Sequence, residues 1–532
     1  MNVFVERGNF MDSGEQTLVH EFLEVSAKTW PAKIAFIHDD VRVTYEQINS
    51  MANMLALWLR EQGIAAGDRV VIFLENSIEY VVSYYGTLKI GGVAVPLNCD
   101  VKFDSLGALL EETQPKIVIT SGKFEKLFRE VNPDTLNIHK IVMKCPSLTW
   151  NSFNSVVAWE DVISEGSVPD PDLPIEESTL ASIIYTSGST GKPKGVMLSH
   201  KNITSNTLSI VKYLKLSNND ILMVVLPFFY VMGKSLLNTH FAVGGTVVVN
   251  NRFAFPAGVI EQMVSERVTG FSGVPSTYAY LLHRSPLGAY RDKLASLRYC
   301  SQAGGHMSSM IKEKLLETLP SHTQLYIMYG ATEAAARLAY VEPERLRGKI
   351  DSIGRPIPGV TIKVMNEKGF EVPSGLHGEL VARGPNIMLG YWKDSESTYR
   401  VLDENGYHTG DMGYQDEDGY LYVTGRKDNL LKVGGHRINT QEIEDALMKT
   451  ELLLEVTVFG VEDGMLGKRL VALAVPISGK TSERDVLANY LTVLPRYKLP
   501  SEIKFVRSLH KNSNGKIDRS KCMEMFNKML TM

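Results

Sequence analysis

Hydrophobic positions near the start of the chain follow two alternating periods. Thr44 and Gln47 have capping-box spacing, and after them Ile48, Met51, Leu55 and Leu59 fall on one helical face until Gly63 breaks the pattern. The run Arg69-Val70-Val71-Ile72-Phe73-Leu74 is a buried strand by its length and composition. A helical stretch covers residues 80–90, and Gly91-Gly92 turns the chain into the strand-like Val93-Ala94-Val95-Pro96. Strand, helix and strand at this spacing predict a mostly parallel sheet with helices on its faces.

The pattern resumes beyond residue 180. Strands are expected at residues 181–185, 222–226 and 246–249, helices at residues 201–214 and after Pro275. From about residue 350 turn residues crowd together, including Pro356, Pro358-Gly359, Gly369 and Pro373-Ser374-Gly375. Short alternating segments between them, such as Thr361-Ile362-Lys363-Val364, read as a small antiparallel β unit. Asp416-Glu417-Asp418-Gly419 supplies the turn of a hairpin. A compact α+β unit follows from Asp428. The expected organisation is therefore α/β, with a large domain over residues 1–427 and a small one over residues 428–532.

The bulk numbers narrow the function classes. A chain of 532 residues exceeds what one hydrophobic core supports. Its formal charge of -4 lacks the basic field of a nucleic-acid binder. Apolar runs such as Val247-Val248-Val249 are strand-sized, well short of the roughly 20 residues that cross a bilayer. The first residues are polar and acidic, unlike a secretory leader, and Cys99, Cys145, Cys300 and Cys522 form no CxxC pair. A cytoplasmic location is the expectation, with no transmembrane segment.

The sharpest chemical signal is Tyr185-Thr186-Ser187-Gly188-Ser189-Thr190-Gly191-Lys192-Pro193-Lys194-Gly195. A strand runs into a loop whose glycines allow close backbone approach. Its hydroxyls donate hydrogen bonds and its lysines offset negative charge, as a polyphosphate requires. It is not a Walker A loop: two residues, not four, separate Gly188 from Gly191-Lys192, and Pro193 follows. A solvated Ser/Gly/Lys loop would read the same way in isolation.

This segment resembles the phosphate-binding loop of the acyl-adenylate-forming superfamily, which includes acyl-CoA synthetases, firefly luciferase and peptide-synthetase adenylation domains. Further similar motifs follow in the family's order: Tyr329-Gly330-Ala331-Thr332-Glu333, Gly354-Arg355-Pro356, Thr409-Gly410-Asp411, Gly425-Arg426-Lys427-Asp428, Lys432-Val433-Gly434-Gly435-His436-Arg437-Ile438 and Asn514-Gly515-Lys516-Ile517. The resemblance covers most of the chain. It implies an enzyme that joins a carboxylic acid to ATP, releases pyrophosphate, and passes the acyl group from acyl-AMP to a thiol.

The resemblance also implies residue roles. Thr186, Ser187, Gly188, Ser189, Thr190, Gly191, Lys192 and Lys194 would cradle ATP phosphates, with Gly304, Gly305, Tyr329, Gly330, Ala331 and Thr332 completing the nucleotide site. Glu333 would hold Mg²⁺, for which a hard oxygen ligand is suited, although an acid at a helix start is equally natural. Asp411 would take the ribose hydroxyls, though an Asx turn explains an aspartate there as well. Arg426 would assist at ribose or phosphate, Asp428 would be the hinge, and Lys516 would hold the carboxylate and α-phosphate during the first step.

Coenzyme A is the expected acceptor, reached through a tunnel beside Gly434, Gly435, His436 and Arg437; a separate carrier protein bearing phosphopantetheine is the alternative. The acid pocket is expected around Tyr230, Val231, Gly233, Ser301 and Ala303. Tyr230 stands where many relatives have histidine, so no histidine role carries over. Amino-acid-activating relatives use an aspartate here, and residues 228–237 contain none, which disfavours an α-amino acid. The apolar residues here fit an apolar acid and a place in fatty acid metabolism, and core packing equally. Lys234 is an odd cation in this stretch, expected to snorkel to the surface rather than meet a polar group of the acid.

Overall fold

The computed structural model describes residues 17–131, 136–147, 155–163, 166, 168–186, 193–427, 430–433, 436–463, 467–479, 481–490, 494–495, 498–512 and 516–530. Among these, two large sheets have parallel centres, the first with antiparallel strands at both edges and the second with antiparallel strands at one edge only. The first runs Arg355–Pro356, Ala339–Val341, Gln324–Tyr329, Tyr299–Gln302, Gly270–Gly273, Ile221–Val224, Thr246–Val249, Ile34–His38 and Val41–Thr44. The second runs Gly390–Tyr391, Lys194–Ser199, Leu180–Thr186, Val93–Pro96, Arg69–Ile72, Ile117–Ser121, Lys140–Lys144 and Val156–Ala158. The strand predicted through Leu74 stops at Ile72, and the predicted helix after Pro275 spans Pro275–Arg284.

Local chemistry explains the helix starts. The hydroxyl of Thr44 accepts from the Gln47 amide at 3.3 Å, and the Gln47 side chain accepts from the Thr44 amide at 2.8 Å. The helix Tyr45–Glu61 then buries Ile48, Ala52, Leu55 and Leu59, with Met51 half-buried. It packs on Ile78–Lys89, a helix buried on nearly every side between the two sheets. Such a helix cannot show a one-sided stripe.

A third, antiparallel sheet contains Thr361–Met365, Gly378–Arg383, Gly406–Gln415, Leu402–Asp403 and Leu421–Arg426. Its hairpin turn is the expected one, closed by Asp416 Oδ1 accepting from the amides of Asp418 and Tyr420 at 3.0 and 2.8 Å. Beyond it lie the hairpin Leu430–Val433 and His436–Asn439, the helix Thr440–Met448, and the strands Leu453–Asp463, Gly467–Pro476 and Glu502–Phe505. The last helix, Arg519–Leu530, seals this part through Cys522 and Phe526 against Phe459, Val471 and Leu473. The predicted boundary residue, Asp428, lies outside the described residues. No helix among the described residues is long and apolar enough to cross a membrane.

Replacing Thr44 with Ala removes one half of the reciprocal cap. The urea midpoint followed by far-UV circular dichroism should fall, by an amount corresponding to about 1 kcal/mol.

Candidate active site

Three neighbouring parallel strands, Gly270–Gly273, Tyr299–Gln302 and Gln324–Tyr329, end on the same edge of the first sheet. Ligands of open α/β sheets bind at such carboxyl ends. The strand ends deliver Val274, Ala303-Gly304-Gly305 and Gly330-Ala331-Thr332-Glu333 into one cleft.

The last of these turns is tight. A Cβ on Gly330 would stand 2.0 Å from the carbonyl oxygen of Ala336, so only glycine fits. Ala335 and Ala336 follow with φ of 52° and 123°, conformations that L residues adopt only under surrounding constraint. Asn386 supplies that constraint, its amide donating to the carbonyls of Ala334 at 2.9 Å and Arg337 at 3.0 Å. The carboxylate of Glu333 accepts from the Tyr391 hydroxyl at 2.7 Å, and its carbonyl from the Met388 amide at 2.8 Å. Glu333 is thus fixed in place rather than left to swing. Asn386 and Tyr391 lie in none of the sequence motifs, so motif reasoning alone misses both.

Asp411 and Arg426 face each other across the antiparallel pair of Gly406–Gln415 and Leu421–Arg426. The Arg426 Nε stands 3.4 Å from Asp411 Oδ1, and the Tyr329 hydroxyl donates to Asp411 Oδ2. Burial raises the Asp411 carboxyl above its ordinary value, against the pull of Arg426, the Tyr329 hydroxyl and Lys516. Burial likewise opposes the Arg426 charge, yet Asp411, Tyr407, Tyr329 and Glu333 together raise it. Gly410, at φ +72°, would put a Cβ 3.1 Å from the Arg426 guanidinium. Tyr329 therefore meets the site with its hydroxyl already engaged.

Lys516 reaches this cleft from the other end of the chain. Its Cε lies 3.6 Å from the point where a Cβ on Gly304 would stand, alongside Val274 and Met232. Gly304 has φ +88°, so glycine there serves both the turn and the lysine's approach. Although the residue as a whole is exposed, loss of water around its ammonium lowers the Lys516 pKa, Arg426 lowers it further, and Glu333 and Asp411 oppose the shift. The structure thus brings Lys516, Glu333, Asp411, Arg426, Tyr329 and Gly304 together.

The residues expected to cradle phosphate, Ser187, Gly188, Ser189, Thr190, Gly191 and Lys192, lie outside the described residues. So do Asp428, Gly434 and Gly435, and the side chains of His436 and Arg437. The shoulders of the loop are described: Thr186 pairs with Lys194 across two strands. The Lys194 ammonium donates to Ser397 Oγ at 2.9 Å and lies 5.0 Å from the centre of the Tyr391 ring. Tyr391 thereby touches both Glu333 and the base of that loop.

Of the expected acid-pocket residues, Tyr230 precedes the helix Val231–Ala242 without a side-chain capping bond and, like Val231, is half-buried. A Cβ on Gly233 would stand 2.1 Å from the Pro227 carbonyl oxygen, so close backbone packing accounts for that glycine. Ser301 is buried, its hydroxyl 2.6 Å from that of Ser272, and Ala303 is buried beside it. Lys234 departs from the sequence expectation. It does not snorkel: it is 2% exposed, donates to the Tyr80 hydroxyl, and lies 3.7 Å from the centre of the Tyr84 ring. The helix that carries it is covered on all sides by the core, leaving no route to water. Burial drives its pKa well below 10.5.

A family profile described as AMP-binding enzyme matches residues 23–392, and one described as AMP-binding enzyme C-terminal domain matches residues 442–516. The chain belongs to the AMP-binding enzyme family. Among curated relatives of this AMP-binding enzyme is an indoleacetate–CoA ligase of Aromatoleum aromaticum, 29% identical over 93% of this chain and 96% of that one. A long-chain-fatty-acid–CoA ligase of Bacillus subtilis is 30% identical over 95% of this chain and 94% of that one. Among solved structures, o-succinylbenzoate coenzyme A synthetase of Bacillus subtilis, in complex with ATP and magnesium ion, is 26% identical. It has a TM-score of 0.79 over 94% of this chain and 99% of that one.

Lys234 generates a prediction. Where the folded protein prefers the neutral amine and the unfolded chain the charged one, the unfolded state holds more protons, so stability rises with pH up to about 10.5. Lys234→Met should remove that part of the slope and raise the unfolding free energy near pH 7 by about 1 kcal/mol. Parallel pH profiles for variant and parent would contradict a buried Lys234 amine with a lowered pKa.

Proposed function

We propose that this AMP-binding enzyme activates a carboxylic acid with ATP and passes the acyl group to coenzyme A. In the first step a carboxylate oxygen attacks the α-phosphorus, the bond to the bridging oxygen breaks, and pyrophosphate leaves. In the second, the thiolate sulfur of coenzyme A attacks the acyl carbon and AMP leaves. The observation that supports this best is the meeting of Lys516 with Glu333, Asp411 and Arg426 at the open ends of three parallel strands.

Each group has a task in that scheme. The first step concentrates negative charge where carboxylate and α-phosphate meet, and an ammonium there stabilises the transition state more than the separated reactants. Lys516 supplies it. Thr332 would donate to the α-phosphate from the turn that Asn386 braces. Asp411 would accept from the ribose hydroxyls, with Arg426 opposing the upward pull of burial on its carboxyl, and the Tyr329 ring would meet adenine. Gly304 and Gly305 leave room for the nucleotide's backbone contacts.

The site suits Mg²⁺ carried by a nucleotide. Among the described residues no three His, Cys, Asp or Glu side chains gather as a protein-only metal cage. Mg²⁺ commonly takes one or two carboxylates with substrate phosphates, and Glu333, held by Tyr391, offers such a carboxylate. Bound there, the ion would neutralise phosphate charge. The second step would use the small domain, residues 428–532, turned about Asp428 so that Gly434, Gly435, His436 and Arg437 line the thiol's path. Full-length CoA ligases among the relatives support coenzyme A as the acceptor.

The test is mass spectrometry of products from the protein with ATP, Mg²⁺ and a mixed pool of carboxylic acids, with and without coenzyme A. An acyl-CoA with AMP is expected. AMP and enzyme-bound adenylate that discharge only onto a phosphopantetheinylated protein would overturn the acceptor. Lys516→Ala should slow acid-dependent pyrophosphate release by about a hundredfold or more, while transfer from supplied acyl-AMP stays within about twofold. Equal loss in both steps would contradict the assignment of Lys516 to the first.

A further inference from the structure

Lys516 lies on a turn whose ends are tied together. Lys511 and Ile517 form an antiparallel bridge, the Asn512 amide donates to the Lys516 carbonyl at 2.8 Å, and the Lys516 amide donates to Asn512 Oδ1 at 3.0 Å. Lys511 and Lys516 therefore move as one body. The Lys511 ammonium is 2.5 Å from Glu455 Oε1, with side chains 16% and 11% exposed, so the pair is largely removed from water. Across the cleft, the same ammonium donates to the Tyr280 hydroxyl at 3.0 Å and lies 4.2 Å from the centre of the Tyr280 ring.

Tyr280 stands on the helix Pro275–Arg284. The start of that helix walls the reaction cleft: Val274 Cγ1 and Pro275 Cγ would stand 3.2 and 3.4 Å from Cβ atoms on Gly304 and Gly305. Five residues of helix, about 7.5 Å, separate Pro275 from Tyr280. One rigid element thus carries both the wall that Lys516 approaches and the ring on which Lys511 rests. Arg284, from the same helix, lies 4.8 Å from the centre of that ring, so two cations meet one aromatic ring. Glu455 offsets their repulsion. A second contact across the cleft, His306 Nε2 to Asp445 Oδ1 at 2.8 Å, is independent of Tyr280.

We propose that Lys511, paired with Glu455 and seated on Tyr280, is the positioning residue that sets Lys516 over the cleft for acid activation. The inference rests on the adenylating function proposed above. Lys511 touches no reacting atom in this scheme. It converts a flexible lysine on a turn into a preplaced charge, which matters because small misplacements of a catalytic group cost large factors in rate. The contact belongs to the arrangement with Lys516 inside. Thiol transfer, which needs the small domain elsewhere, does not use it.

Tyr280→Ala in the 532-residue chain tests this through both half-reactions. Acid-dependent pyrophosphate release without thiol should fall about tenfold, and Tyr280→Phe, which keeps the ring, should lose less. Thiol transfer from supplied acyl-AMP and the melting temperature should stay unchanged. In a Lys516→Ala background, Tyr280→Ala should add less than about a twofold loss, because the group it positions is gone. A purely structural contact would instead lower both half-reactions together, or add its full effect in that background, and either result overturns the proposal. A readout free of turnover is amine labelling: acetic anhydride should modify Lys516 several-fold faster in Tyr280→Ala than in the parent. Unchanged labelling overturns the positioning role even if no acid in hand is activated. Failure of every acid with labelling increased would instead count against the adenylating function alone.

Discussion

An ammonium that feels two carboxylates and a guanidinium, at the carboxyl ends of three parallel strands, is the interaction around which this site is arranged. A charge of that kind is costly to withdraw from water, and the surroundings lower the Lys516 pKa through lost hydration before any partner acts. Glu333 and Asp411 oppose that shift. They are themselves fixed, Glu333 by Tyr391 and the Ala335–Ala336 turn, Asp411 by Tyr329 and Arg426. Preorganised charge of this sort does not have to reorganise when new charge develops in a reaction, which makes it effective.

The strain in the turn after Gly330 belongs to the same arrangement. Two alanines at positive φ are tolerated because Asn386, Met388 and Tyr391 bind the turn from a different strand region. Tyr391 also lies against Lys194 at the edge of the expected phosphate loop. Carboxylate and loop edge are therefore registered through one ring. A change at Tyr391 would disturb both without touching either motif in sequence.

Local features are legible in the amino-acid sequence. The Thr44–Gln47 cap, the Asp416–Gly419 turn and the strand Thr246–Val249 depend on neighbours within a few residues, and all three form as expected. The order of motifs is enough to identify the family that the profile matches bear out. What the chain does not disclose depends on contacts between distant segments. The snorkelling expectation for Lys234 fails because residues 78–89 cover it with Tyr80 and Tyr84, which no periodicity near Lys234 could show. Asn386, Tyr391 and the seat of Lys511 on Tyr280 are likewise tertiary, joining positions 52, 58 and 231 residues apart. Helix Ile78–Lys89 can be placed from sequence but not oriented, since it is buried on nearly every side.

The central claim is that acid and ATP react at Lys516 before any thiol takes part. Exchange of labelled pyrophosphate into ATP measures that step directly, since the label enters only when the acid–AMP bond has formed and reverses. With Mg²⁺ and a substrate acid, exchange should proceed without coenzyme A and should collapse in Lys516→Ala. Exchange that demands coenzyme A, or that survives loss of Lys516 undiminished, would contradict the account.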